Sequence, residues 1–326
     1  MSRSDGAHRG GDGEADGLRV GVTGTIVEDT IDTVDGVRIE DLGGITYALH
    51  GLSAFLPEGA VAHPVIEVGS DAIDRVRRDL RPLRALSDED FRSVPHVNNK
   101  VHLVYHPDGS RDETLTGGVP PASWDLYEPW LDRLDAWLWN FISGMETDLA
   151  TFGRVKTEFR GDVYMDIHSL CLEHVPGRAR RHRTPERWEA WVEGVRWLQM
   201  NEAEAGLLQR GEPESLSEED EEALAVRLHG FGAEAVLFTL GSRGARLYGA
   251  DGAIVSEPVP EGEPAVDPTG CGDVFGATWL ALRIGHEWTP AEALAGAVEA
   301  ASLAATRRGT RGLAERLREA VGAGTR

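Results

Sequence analysis

Residues 266–278 read VDPTGCGDVFGAT and run directly into the apolar stretch WLALRIGHEW. Pro268 and the glycines punctuate the chain and Asp readily starts a helix, so one reading is a turn followed by a helix from about Asp273. The same residues suit chemistry. Small side chains let the backbone N–H groups of Gly270, Cys271 and Gly272 converge, and the helix dipole adds positive potential there, which makes an anion hole. A carboxylate at the mouth of such a hole is not there to bind phosphate, because like charges repel. Asp273 is instead placed to take a proton from a hydroxyl that attacks phosphorus.

Working outward from this turn, helical stretches over 273–284, 290–306 and 312–321 close the chain. Before it lie the near-continuous apolar runs AWLWNFI, DVYMDI, RWLQM and AVLFTL, separated by the helix-like TDLATFGRVKTEF, PERWEAWVEGV and acidic 217–228. Buried strands alternating with helices predict a doubly wound, mostly parallel α/β sheet with helices on both faces. The N-terminal part adds LRVGVTGTI as one buried strand and a hairpin around Asp35-Gly36. A helix, ITYALHGLSAFL, opened by Gly43-Gly44, comes next, then a strand in VAHPVIEVG and the amphipathic IDRVRRDLRPL. A second hairpin, over 97–116, turns at Pro107-Asp108-Gly109. The two hairpins together predict a small β-sheet lid, with strands from about 25–42 and 96–118. Residues 1–17 read as a disordered tail and 18–326 as one domain.

The 326 residues carry a net charge of -22, which argues against nonspecific binding to nucleic acid or an anionic membrane. Any anionic ligand must be held by local geometry. Two cysteines, Cys171 and Cys271, make no disulfide framework and suit a reducing compartment, so a cytoplasmic location is expected. No apolar run has signal-peptide or membrane-spanning character.

In an open parallel sheet, ligands bind outside the carboxyl ends of the strands. Three further features fall in such places. In TLGSRGARLY, Thr239, Gly241, Ser242 and Gly244 let the backbone approach a nucleotide phosphate, although the same residues make an ordinary hairpin turn. In MNEAEAG, Asn201 and Glu204 form the usual helix-start capping pattern, or else contact nucleotide phosphates and orient water on Mg²⁺. Both roles are compatible. Near the N-terminus, Gly24, Asp29, Gly43 and Gly44 either form an acidic hairpin or offer amides and a carboxylate to sugar hydroxyls. Asp166 and His168 end a strand at the ligand-facing edge and keep a substrate role open. Trp188, Trp191 and Trp197 read as core, the basic run GRARRHR over 177–183 as a solvated loop rather than a phosphate clamp. No Cys/His cluster has zinc-ligand spacing.

In this order, Gly-x4-Asp, Gly-Gly, Asn-x-x-Glu, Thr-x-Gly-x-x-Gly and Asp-x-Thr-Gly-x-Gly-Asp, the chain resembles the ribokinase-like (PfkB-type) carbohydrate kinases from about Leu18 to Leu313. The resemblance implies an ATP-dependent kinase with Asp273 as catalytic base and Gly270, Cys271 and Gly272 as anion hole. It also implies a nucleotide site at Asn201, Thr239, Gly241, Ser242 and Gly244, and a Mg²⁺ site organised through Glu204. The acceptor would lie at Asp29, Gly43, Gly44 and Asp273. Asp267, Thr269, Ala304, Arg307 and Gly309 match a monovalent-cation site for K⁺, and a homodimer through the lid is implied as well. Two positions depart from the family: Cys271 replaces the common Ala, and Ala48, beside Tyr47, replaces a substrate-binding Asn.

The reading is therefore a kinase transferring the γ-phosphoryl group of ATP to a hydroxyl of a small sugar-like molecule. The alternatives are a nucleoside kinase of the same fold, which needs an apolar or aromatic base pocket from the lid, and a catalytically silent ligand-binding relative. A dinucleotide-binding oxidoreductase is disfavoured, because no Gly-x-Gly-x-x-Gly follows the first strand.

Overall fold

The structure is a computed structural model that describes residues 17–108 and 110–324. The expected tail thus lies outside the described residues except for Gly17, and so does Gly109 of the second hairpin turn. The chain begins with β1 (Arg19–Thr23), passes into β2 (Ile26–Asp32) and returns through β3 (Arg38–Gly44) to α1 (Thr46–Phe55). Short strands β4 (Val61–Pro64) and β5 (Glu67–Gly69) lead to α2 (Ile73–Leu80), β6 (Arg92–Val94), β7 (Lys100–Tyr105) and β8 (Arg111–Thr116). After α3 (Trp124–Tyr127), strand and helix alternate through β9 (Ala136–Asn140), α4 (Leu149–Glu158), β10 (Asp162–Asp166), α5 (Trp188–Val192) and β11 (Trp197–Asn201). Next come α6 (Glu202–Arg210), α7 (Glu218–Gly230), β12 (Ala235–Thr239), β13 (Ala245–Gly249) and β14 (Ile254–Glu257). Three helices end the chain: α8 (Cys271–Gly285), α9 (Pro290–Ala305) and α10 (Leu313–Gly324).

An 8-stranded sheet runs β14-β13-β12-β11-β10-β9-β1-β4, parallel from β12 to β4 with an antiparallel edge at β13 and β14. Alternate residues of β9 explain why its sequence is apolar throughout. Ala136 and Leu138 enter the core beneath α1, α8, α9 and α10, while Trp137 and Trp139 enter the core beneath α4, α6 and α7. Both faces are covered, as the doubly wound expectation requires.

The two hairpins form a separate four-stranded sheet, β3-β2-β7-β8. Its register places Val27, Asp29, Ile31, Asp41, Gly43, Val101, Leu103, Tyr105, Arg111, Glu113 and Leu115 on one face. The apolar members of that face pack on Ile142 and Met145. This is the lid, and it lies closed over the carboxyl edge of the large sheet.

Several local expectations change. LRVGVTGTI is two strands, because the chain leaves the main sheet at Gly24 and Thr25 to enter the lid. VAHPVIEVG likewise divides into β4 and β5, and PERWEAWVEGV forms only the short α5. Gly43 and Gly44 end β3 rather than opening α1, whose N-cap is Ile45. Trp197 lies in β11, and Trp188 and Trp191 pack in the core.

The basic run is exposed, as expected of a loop, at every residue but Arg180. Ala179 bridges Thr114 on the edge of β8, and the side chain of Arg180 is 1% exposed. Its guanidinium donates to Glu113 Oε1 at 2.9 Å and to the carbonyls of Ile142 and Ser143 at 3.2 and 2.7 Å. Burial raises the pKa of Glu113, and the charges of Arg180, His168 and Arg111 reverse that shift, leaving it below the ordinary value. The run is a strap that ties the lid to the body. Arg180→Ala leaves Glu113 half-buried without its partner, so unfolding free energy should fall by about 3 kcal/mol in denaturant titration; a loss under about 0.5 kcal/mol would reduce the strap to a surface contact.

Candidate active site

Gly270 caps α8 in a left-handed conformation, φ 75°. A Cβ there would stand 2.1 Å from Cγ of Tyr47, so the turn admits glycine alone. The helix therefore starts at Cys271, earlier than the sequence implied. Its ladder begins with Val274 N donating to Gly270 O, so the amides of Gly272 and Asp273 precede it, while Cys271 N donates to Pro268 O at 3.3 Å. Gln199 anchors this turn to the sheet: Nε2 donates to Gly272 O at 3.0 Å and to Asp166 Oδ2 at 2.8 Å, and Oε1 accepts from Tyr164 at 2.6 Å.

Asp273 sits at the mouth of the turn. Its Oδ1 accepts from Asn140 Nδ2 at 2.6 Å. Burial raises its pKa to about 6, and the Asn140 hydrogen bond is the largest of the effects that hold it down. Asn140 was not anticipated, although it ends the strand AWLWN at the ligand-facing edge, where position was the available signal. Gln199 gave none, since it falls inside an apolar strand.

Asp29, on β2 of the lid, is buried on its inner face. Burial pushes its pKa well above the usual carboxylate range, and the charges of Glu113, Asp41 and Asp273 add to that push. Gly43 has a local reason to be glycine: a Cβ would meet Asp29 Oδ2 at 1.6 Å. At Gly44, φ 61°, a Cβ would meet the carbonyl of Thr25 at 2.4 Å, so the crowding expected against a ligand is against the chain itself. Tyr105 reaches from the lid to Thr269 Oγ1 at 2.9 Å.

Asn201 and Glu204 close a capping box on α6. Glu204 Oε1 also meets His168 Nδ1 at 2.6 Å and Asn201 Nδ2 at 2.6 Å, while Oε2 accepts from Asn201 N at 2.7 Å. Burial lowers the pKa of His168, but the hydrogen bond and charge of Glu204, with Asp166 and Glu113, raise it to about 9. Asp166 is pushed upward by burial and by Glu204. Thr239, Gly241, Ser242 and Gly244 line a cleft of about 1320 Å³ together with Asn201, His168, Cys271 and Gly272. TLGSRG is the β12–β13 hairpin turn, and its residues face this cleft.

The candidates for a monovalent cation gather around the end of α9. Val266 N and Asp267 N both donate to Ala305 O, and Thr269 N donates to Asp267 Oδ1 at 2.9 Å. Asp267 Oδ2 is buried without a protein partner. Ala304 O accepts from Arg307 N at 3.3 Å, and Gly309 faces Asp41 of the lid.

A buried carboxyl at the first turn of α8, a small sheet over the carboxyl edge and a cleft along that edge suit a phosphotransferase with an alcohol acceptor. A family model described as pfkB family carbohydrate kinase matches residues 141–316, more than half of the chain, and the chain belongs to that family. A cytidine kinase from Thermococcus kodakarensis is 28% identical over 264 residues, 80% of this chain and 86% of that protein. Among solved structures, a ribokinase from Giardia lamblia superposes with a TM-score of 0.74 at 17% identity, covering 95% of this chain and 100% of that one. A nucleoside kinase from Burkholderia thailandensis, in complex with inosine, gives 0.68 at 18% identity, covering 94% and 98%. These two likenesses bear on the fold. The protein is a sugar or nucleoside kinase that uses ATP. Among the described residues, no helix is long and apolar enough to cross a membrane.

Asp273→Asn should lower kcat by about 10²–10⁴, the range for losing a general base. Because the base acts deprotonated, kcat/KM should fall as pH drops through about 6. Asn140→Leu removes a bond that holds that pKa down, so the acid limb should move to higher pH. An unmoved limb in a pH–rate profile would separate Asn140 from the base.

Proposed function

We propose that the chain transfers the γ-phosphoryl group of ATP to a hydroxyl of an uncharged ribosyl compound, first of all a nucleoside. One observation carries the choice of a neutral acceptor. Asp29, Asp41, Glu113 and Asp273 lie close enough that the last three raise the pKa of Asp29. Arg111 offsets part of this charge, and Arg180 is engaged by Glu113. An acceptor carrying phosphate or carboxylate would meet this group at close range. The relative at 28% identity is a cytidine kinase, which supports a nucleoside over a free sugar. Tyr105, partly buried on the same face of the lid, is the aromatic ring there that a base would meet.

In this reading Asp29 and the backbone around Gly43 and Gly44 hold the acceptor under the lid. Asp273 takes the proton of the attacking hydroxyl, and the α8 turn at Gly270, Cys271 and Gly272 meets the charge of the transferred group. Asn201, Thr239, Gly241, Ser242 and Gly244 line the nucleotide side. Glu204 fits a Mg²⁺ site through water: three of its roughly four acceptor positions are taken, which leaves one on Oε2. Mg²⁺ supplies neutralisation of the phosphate charge when bound. The unpartnered Asp267 Oδ2 fits a K⁺ site beside the anion hole, with Thr269, Ala304, Arg307 and Gly309 around it. We place the reaction in the cytoplasm, where two free cysteines persist. A homodimer through the lid would pair along β3, since the β8 edge carries Ala179.

With Mg-ATP, ADP release should depend on nucleosides, more weakly on ribose, and not on sugar phosphates or sugar acids. Asp29→Ala should weaken acceptor use by about 1.5–3 kcal/mol in kcat/KM, the worth of hydrogen bonds to a charged group, with ATP affinity unchanged. Selective use of a phosphorylated or acidic acceptor would overturn the neutral-acceptor reading.

A further inference from the structure

A tyrosine buried in a core costs stability unless its hydroxyl finds a partner. Tyr47, near the start of α1, is 4% exposed. A Cβ built on Gly270 would meet Cγ, Cδ1 and Cδ2 of its ring at 2.1, 2.3 and 2.5 Å. The root of the ring therefore lies against the α8 turn, with the hydroxyl at the far end. Packing of the ring does not explain the oxygen, because Phe would fill the same space.

The surroundings of that oxygen are the acceptor side of the site. Burial raises the pKa of the phenol, and the charges of Asp29, then Asp267, Asp41 and Asp273, raise it further, with no hydrogen bond contributing. Among the described residues the hydroxyl has no protein partner. Nor is it sealed off, as the orphaned Ser53 Oγ of α1 and Thr278 Oγ1 of α8 are. Asp29 and Asp41 stand opposite each other on β2 and β3. Arg180 is taken by Glu113, and Arg111 reaches the Tyr105 hydroxyl at 3.5 Å. Tyr47 thus brings a neutral, unspent hydroxyl to a wall of carboxyls.

We infer that Tyr47 determines acceptor specificity: its hydroxyl donates to a non-attacking hydroxyl of the acceptor, the one that Asp29 also holds. The inference rests on the placing of the acceptor beside Asp29 and Asp273 in the function proposed above. A hydroxyl that gives its proton to a carboxylate keeps lone pairs, and the phenol satisfies one of them. In a ribosyl compound that attacks through its primary hydroxyl, the vicinal 2′ and 3′ hydroxyls are the groups of this kind. A compound lacking the one that Tyr47 meets leaves the phenol unpaired under the closed lid, which is how a site built for a hydroxyl rejects its deoxy analogue.

The test is steady-state kinetics of Tyr47→Phe and the unaltered chain with Mg-ATP, a panel of ribonucleosides and ribose, and the 2′-deoxy and 3′-deoxy forms of the best acceptor. Phe keeps the ring against Gly270, and thermal midpoints verify folding. In Tyr47→Phe, KM for the best acceptor should rise about tenfold, the worth of one hydrogen bond, with kcat and the KM for ATP unchanged. For one of the two deoxy forms the substitution should change KM less than about twofold, because that contact is already missing. Equal losses for the acceptor and both deoxy forms would make Tyr47 a packing residue and overturn the inference, as would no loss at all. So would an unaltered chain that uses all three compounds equally, a result independent of how the variant folds. Should ribose outperform every ribonucleoside, the nucleoside reading fails, and the same comparison with ribose and its deoxy forms still decides the contact. No turnover with any ribosyl compound would overturn both.

Discussion

No side chain larger than hydrogen fits at residue 270, and the arrangement of the site follows from that. The Tyr47 ring occupies the space, so the first turn of α8 is pressed against α1. Further along the same pair, a Cβ at Gly51 would touch Ala277 Cβ at 3.0 Å, which lets the two helices approach closely. α1 is joined to the lid through Gly44 and Ile45, whose N–H donates to Thr25 O at 3.1 Å. The anion-hole turn, the first helix and the lid are thereby fixed to one another by contacts between small groups, which tolerate little adjustment.

Electrostatics adds a second constraint. An acidic chain brings Asp29 within electrostatic reach of Glu113, Asp41 and Asp273, and Asp166 within reach of Glu204 and Asp273. Burial raises the pKa of Asp29, Asp166 and Asp273. Three carboxyls of this group are answered differently. Asp273 has one short hydrogen bond from Asn140 and stays near the range a base needs, Asp166 is shared by Gln199 and the His168 backbone, and Glu113 has a buried guanidinium. Environment thus gives chemically identical carboxyls different pKa values and different partners.

The parallel sheet was legible because its strands are apolar on both faces, a pattern that strands with one solvated face do not produce. The turn at 266–278 was legible because Pro, Gly and Asp constrain backbone and charge together. The lid was legible as two hairpins, but its attachment was not. Arg180 reads as one more charge in a basic run, and only the pairing of Ala179 with Thr114 turns that run inward. Asn140 and Gln199 were hidden for a related reason. Each is a polar residue in or at the end of an apolar strand, and its partner lies 133 or 73 residues away in sequence. Local pattern reports propensity and periodicity, whereas these contacts depend on which strand edges the crossovers bring together.

The lid is closed in this structure, and the way it is held bears on how a substrate enters. Tyr105 meets Thr269 in the anion-hole loop, Arg180 of the strap meets Glu113, and Asp41 accepts from Thr310 N at 2.9 Å just after α9. These are polar contacts to three separate segments of the body. Water can replace the Tyr105 and Asp41 bonds at small net cost, whereas the buried Arg180–Glu113 pair resists separation and apolar burial is lost in proportion to area. The apolar part of the seam is a small cluster around Ile31, Leu103, Ile142 and Met145. Asp29, on the inner face of the lid itself, is 5% exposed, so solvent reaches that carboxylate only when the lid lifts. A seam built chiefly of exchangeable hydrogen bonds can open and reclose on the timescale of a lid, and hydroxyls of a bound acceptor can take the place of water as it closes.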